Sequence, residues 1–152
     1  MRTRSLLKCE TFAPFVSVNF DLPGALADAM EAVYRNGLEE FHVRKWLEAH
    51  LDPNVANPDE TPEALEGVIR STILSYSPPE DTSRVLRDLI RLDIPMGVVS
   101  NSIFSSDLLK NDIGEFSVPE AFQFVISSAE FGFRKPHPAI FEHAVRELGS
   151  TN

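Results

Sequence analysis

The spacing of apolar positions changes near residue 21. Before it, Phe15, Val16, Val18 and Phe20 form an aromatic and β-branched run that predicts a strand over 15–20, ending in a turn at Asp21-Leu22-Pro23-Gly24. From Ala25 onward apolar residues recur every three or four positions, through Leu26, Met30 and Val33 and then Leu38, Phe41 and Leu47. That period predicts two helices separated at Gly37. Polar connections at Asp52-Pro53-Asn54 and Asn57-Pro58-Asp59 follow. Thr61 before Pro62 reads as an N-cap with proline at the first helical position, and Leu65, Val68, Ile69 and Ile73 form the apolar stripe of that helix. Ser77-Pro78-Pro79 ends the segment, because proline lacks an amide donor and restrains the residue before it.

Beyond this point strand and helix patterns alternate. Val85, Leu86, Leu89 and Ile90 form one helix face, 94–99 is an apolar strand, and Ile103, Leu108 and Leu109 indicate another helix. A second strand is predicted over 122–127, and a final amphipathic helix over 138–148 is closed by Gly149 as a left-handed cap. Strands joined by helix-length crossovers favour a parallel sheet with helices on its faces, so the fold class is α/β. The helical stretch between the first strand and the rest is placed as a lid inserted at a strand's carboxyl end, where open α/β sheets bind ligands.

Composition narrows the functional classes. The 152 residues are 43% hydrophobic and 24% charged, which excludes a disordered chain and suits a single folded domain. Lys and Arg total 14 against 23 Asp and Glu, a net charge of -9 that argues against nucleic acid as a partner. One cysteine, Cys9, excludes an intramolecular disulfide, fits a reducing and therefore cytoplasmic setting, and cannot alone hold zinc. No stretch reaches membrane-spanning length, so no membrane partner is expected. His42, His50, His137 and His143 form no His-x-x-x-His pair and read as structural or surface residues. Glu39-Glu40 and the pair Glu142 and Glu147 read as solvated helix faces, and Leu38, Phe41 and Trp46 as packing residues.

Three chemically suggestive positions fall at predicted strand ends: Asp21, then Ser100 with Asn101, then Lys135. In a parallel sheet such ends converge. A carboxylate there suits attack on phosphorus or carbon, a hydroxyl with neighbouring backbone amides suits an oxyanion, and a lysine suits the charge that develops in the transition state. The plainer reading is a capped strand end, a turn serine and a surface lysine.

The wording of these segments is more specific. Phe20-Asp21-Leu22-Pro23-Gly24-Ala25 resembles the first motif of the haloacid dehalogenase-like hydrolases, Val98-Val99-Ser100-Asn101 the second, and Gly132-Phe133-Arg134-Lys135-Pro136-His137-Pro138 the third. The resemblance implies a truncated Rossmann-like parallel sheet with an inserted helical cap, the core formed by 12–25 and 77–152 and the cap by 26–76. It implies Asp21 as the nucleophile of an aspartyl intermediate. Ser100, Asn101 and Lys135 would bind the transferred group, with Ser100 and Lys135 also counted as catalytic. Magnesium is implied as cofactor, held by Asp21 and the Pro23 backbone carbonyl, with a small phosphorylated metabolite as substrate.

Two departures alter what is expected of this chain. Pro23 occupies the place of the general acid and carries no titratable proton, so leaving-group protonation is lost; Asp28, seven positions beyond Asp21, is expected on the following helix. The sequence ends at Gly149-Ser150-Thr151-Asn152, before the acidic fourth motif. Weak or absent magnesium binding and weak or absent turnover are therefore expected, with an exposed strand edge over 15–20 open to homodimerisation or strand addition. Two alternatives stand beside phosphomonoester hydrolysis: a noncatalytic interaction fold, and a metal-independent haloacid dehalogenase using Arg35 or Arg44 to assist halide departure.

Overall fold

Proline and glycine punctuate the chain where its apolar spacing changes, and the helices and strands take their limits from them. The computed structural model describes residues 22–35, 37–51, 61–73, 79–116 and 121–149. In chain order these hold α1 (Leu22–Arg35), α2 (Val43–His50), α3 (Pro62–Ile73), α4 (Thr82–Arg91), β1 (Met96–Ser100), α5 (Ser106–Phe116), β2 (Phe122–Ser127), α6 (Ser128–Phe131) and α7 (Pro138–Glu147). The strand expected over 15–20, its edge, and Asp21 lie outside the described residues.

The turn expected at Leu22-Pro23-Gly24 is corrected: these residues form the first turn of α1. Proline is tolerated there because its missing N–H has no helical acceptor to lose. Asp28 lies on α1, as expected. Gly37 takes φ +120°, a backbone open to glycine, and separates α1 from α2. The α3 start is the one read from sequence, with Thr61 Oγ1 accepting from the Ala64 amide at 3.2 Å and Pro62 opening the helix.

Leu26 from α1, Val43 and Leu47 from α2, and Leu65 and Ile69 from α3 are buried in one cluster, and Phe104 from beyond β1 completes it. The loop after β1 thus shares a core with the helices that precede the sheet. Two polar ties reinforce the contact: the Val43 amide donates to Ile103 O at 3.0 Å, and Arg70 on α3 pairs with Asp112 on α5 at 2.7 Å.

β1 and β2 pair in parallel, with Met96 opposite Phe122, Val98 opposite Val125, Val99 opposite Ile126 and Ser100 opposite Ser127. A small parallel sheet surrounded mostly by helices agrees with the α/β, Rossmann-like core and helical cap expected from the sequence. β1 begins at Met96 and not at 94, since Pro95 has no amide to give to a ladder. Ile126 of β2 packs with Ile140 and Ala144 of α7 in a second cluster. The four-residue α6 was not legible in the apolar spacing, being too short to show a period. α4 forms where predicted, yet none of its residues is buried, and Val85 and Ile90 are 45% and 43% exposed. Amphipathic spacing predicts a helix without specifying what covers it.

At Gly97 in β1 an added Cβ would overlap the ring of Phe124. Gly97→Ala is expected to lower stability by about 1–3 kcal/mol through overpacking. An unchanged urea midpoint would show instead that the ring moves aside at no cost.

Candidate functional site

Because β1 and β2 run the same way, Ser100 and Ser127 finish side by side and both following loops leave from the sheet's carboxyl edge. Asn101 bridges these loops. Its Nδ2 donates to Lys135 O at 3.0 Å, and its Oδ1 accepts from the Lys135 amide at 2.7 Å. The reciprocal pair holds the lysine backbone, while Lys135 Nζ donates to Val99 O at 2.7 Å, one residue before Ser100. Ser100, Asn101 and Lys135 are therefore brought together, whereas Asp21 is outside the described residues.

The Lys135 loop is built from short local devices. Ser127 Oγ accepts from the Ala129 amide to cap α6, Gly132 ends that helix at φ +94°, and His137 Nδ1 accepts from the Ala139 amide at the start of α7. Between them, Glu39 and Phe133 form an antiparallel bridge, flanked by bonds from the Glu40 amide to Gly132 O at 3.0 Å and from the Arg134 amide to Leu38 O at 2.7 Å. The connection between α1 and α2 is strapped along the loop that carries Lys135.

Glu40 corrects a reading made from the sequence, which placed it on a solvated helix face. It lies outside any helix and is half-buried. Its Oε1 accepts from Tyr34 OH at 2.8 Å and from the Phe41 amide at 3.1 Å, and its Oε2 accepts from Ser128 Oγ at 2.7 Å. Burial, then the bond to Glu40 and its charge, hold the Tyr34 phenol above its ordinary range. The Arg134 guanidinium lies 4.7 Å from the centre of the Tyr34 ring. Of the three residues read as packing, Phe41 is buried and Trp46 packs against the first cluster, but Leu38 is exposed.

Four backbone amides further along the loop after β1 are taken up by side chains of the protein. The Ser102 amide donates to Ser128 Oγ at 2.9 Å, that of Phe104 to Ser102 Oγ at 3.1 Å, that of Ser105 to Glu66 Oε1 at 2.7 Å, and that of Ser106 to Glu130 Oε1 at 3.1 Å. An ammonium has three N–H donors. The bond to Val99 O uses one, so among the described residues Lys135 keeps donors for a ligand.

Glu66 is a residue the sequence reading missed. It is fully buried, and its Oε2 meets Arg44 Nη2 at 2.8 Å and Ser105 Oγ at 3.0 Å. A signal was present: Glu66 precedes Ile69 by three positions and Ile73 by seven, which puts a carboxylate on the apolar side of α3. Arg44 also reaches Glu63 at 3.2 Å and Ser105 Oγ at 3.1 Å, so its guanidinium is occupied, and Arg35 is paired with Glu31 at 2.6 Å on the surface.

Among the described residues, no group of three or more His, Cys, Asp and Glu side chains is placed to hold a metal ion. Pro23 lies in the first turn of α1, where a carbonyl points along the axis toward the amide four residues on, here that of Ala27. A carbonyl oxygen has two lone pairs, so a helical bond leaves one for an ion, and the Asp21 carboxylate that would complete the site lies outside the described residues. No described helix is long and apolar enough to cross a membrane.

Against known families, the model described as haloacid dehalogenase-like hydrolase matches residues 57–152, more than half of the chain. The chain belongs to this family. The match takes in Ser100, Asn101 and Lys135 of the haloacid dehalogenase-like hydrolase and does not reach Asp21 or Pro23. The curated proteins searched hold no match to it.

His42, within electrostatic reach of Arg44 and the buried Glu66, has an Nδ1 without a hydrogen-bond partner among the described residues. Burial, and then the charge of Lys45, lower its pKa below the ordinary 6.5. The unfolded chain therefore takes up a proton at His42 first, and stability falls as pH drops from 6.5 toward the lowered folded value. Urea midpoints across this range should decline less in His42→Gln than in the wild type; parallel declines would assign the loss to other groups.

Proposed function

We propose that this haloacid dehalogenase-like hydrolase acts on phosphoryl groups, with Asp21 as nucleophile, Ser100 and Lys135 holding the transferred group, and Asn101 fixing the lysine. What supports this reading is the Lys135 ammonium at the carboxyl end of β1, bonded to Val99 O at 2.7 Å with donors to spare. In a chain of net charge -9, a cation kept at a strand end suits an anionic ligand. The occupied guanidinium of Arg44 and the surface pairing of Arg35 favour this reading over dehalogenation, which needs a cation for the departing halide. The setting is cytoplasmic, in keeping with the lone Cys9.

The chemistry follows from the side chains. A carboxylate oxygen of Asp21 attacks phosphorus as the bond to the leaving oxygen breaks, giving an aspartyl phosphate and an alkoxide or phenoxide. Water then attacks phosphorus, the Asp21 carboxylate is restored and inorganic phosphate departs. Ser100 and Lys135 donate to the oxygens that gain charge. Pro23 supplies no proton to the leaving oxygen, so the first step is confined to esters whose leaving oxygen is weakly basic. Magnesium is implied by the family resemblance; Asp21 and the Pro23 carbonyl would hold it, and it would neutralise charge on the transferred group.

An aryl phosphate such as p-nitrophenyl phosphate is expected to turn over about 10²–10⁴-fold faster than an alkyl phosphomonoester, the contribution of a positioned general acid. Asp21→Asn should abolish the aryl activity. Turnover that persists in that variant would remove the nucleophile assignment, and equal rates on the two esters would show an acid from elsewhere. Absence of turnover on both, with phosphate binding lost in Lys135→Ala, would leave an anion-binding fold without catalysis.

A further inference from the structure

We infer that Glu40 is the positioning residue of the Ser100, Asn101 and Lys135 site, because it ties both loops of that site to the segment between α1 and α2. The significance of this inference rests on the anion-binding reading above; its geometry does not. Tyr34 OH and the Phe41 amide converge on Oε1 at 2.8 and 3.1 Å, which holds the carboxylate in one orientation. The other oxygen receives the Ser128 hydroxyl at 2.7 Å.

That hydroxyl has one hydrogen and two acceptors within reach, the Glu40 carboxylate and, at 3.2 Å, Ser102 O. The carboxylate is nearer and charged, so it takes the hydrogen. The oxygen of Ser128 is then left to accept the Ser102 amide at 2.9 Å, which pins the residue next to Asn101. On its backbone side, the Glu40 amide donates to Gly132 O at 3.0 Å, and the Arg134 amide bonds to Leu38 O at 2.7 Å, immediately before Lys135. The Glu40 carboxylate reaches the asparagine through Ser128 and Ser102, while on the lysine's side its amide holds Gly132 and the neighbouring Leu38 holds Arg134. Removing its carboxylate turns the Ser128 hydroxyl to Ser102 O and takes the acceptor from the half-buried Tyr34 phenol, so the loops lose their common anchor.

Competitive labelling of lysine amines with an acylating reagent, read by peptide mass spectrometry, tests this without any turnover. Lys110 on α5 serves as the internal reference, since its exposed side chain pairs only with Asp107 nearby, at 3.3 Å. Glu40→Ala is expected to raise labelling of Lys135 relative to Lys110 by about fivefold, as the loop opens more often. Glu40→Gln, which keeps an oxygen for Tyr34 and Phe41 but presents an amide to Ser128, should fall between the two. Labelling repeated in urea well below the unfolding midpoint separates the two causes, since global unfolding makes the ratio climb with urea and local opening of the loop does not.

An unchanged ratio in folded Glu40→Ala overturns the inference. Should that variant fail to fold, Tyr34→Phe and Ser128→Ala each remove one partner of the carboxylate, and an unchanged ratio in both overturns it equally. Inorganic phosphate added to the wild type gives the separate control. Failure to protect Lys135 counts against the anion-binding reading, while the ratio in phosphate-free protein still reports on Glu40.

Discussion

The parallel pairing of β1 with β2 is the constraint on which the rest of the site depends. Strands that run the same way end at the same edge, so Ser100 and Ser127 lie side by side and the chain leaves both strands in one direction. Antiparallel pairing would send the Lys135 loop to the opposite end of the sheet. Parallel strands also need a crossover long enough to return the chain, which α5 provides between them. Ile126, packed with Ile140 and Ala144, covers one part of this small sheet. The close fit of Phe124 against Gly97 holds the two strands together where the register is irregular between Met96 and Val98.

With the edge established, carboxylates organise the loops above it. Glu66 and Glu130 accept the amides of Ser105 and Ser106, and Glu40 acts on Ser102 through Ser128. Amides beyond a strand end require acceptors once buried, and a charged acceptor makes a short, strong bond. The cost of burying Glu66 is offset by Arg44, whose guanidinium reaches Glu66, Glu63 and Ser105. An acidic chain thus uses part of its charge inside the fold, as acceptors for its own backbone. The helices before the sheet and the loop after β1 consequently hold each other, through these bonds and through Phe104 in their shared cluster.

This arrangement also determines which donors remain at the sheet edge. The Ser102, Phe104, Ser105 and Ser106 amides are spent on the protein, whereas the Lys135 ammonium keeps donors beyond its bond to Val99 O. The lysine is positioned by Asn101 on one side and by the bridge from Glu39 to Phe133 on the other. Pro23, inside the first turn of α1, brings rigidity to that helix start and no proton for chemistry.

Local chain chemistry determined much of the secondary structure. Thr61 with Pro62 marked the start of α3, Gly37 the break before α2, and Gly149 the end of the last helix, because caps and left-handed turns are set by a few neighbouring residues. The wording around Ser100 and Lys135 named a family, and those residues meet at one sheet edge beside Asn101. Tertiary structure alone decided that Glu40 would serve Ser128 rather than solvent, that Glu66 would be buried against Arg44, and that the amides after β1 would be occupied. Glu40 and Ser128 lie 88 positions apart, and Ser105 and Glu66 39. A side chain's partner across such distances depends on how the elements pack, which the period of apolar residues along one helix or strand does not encode.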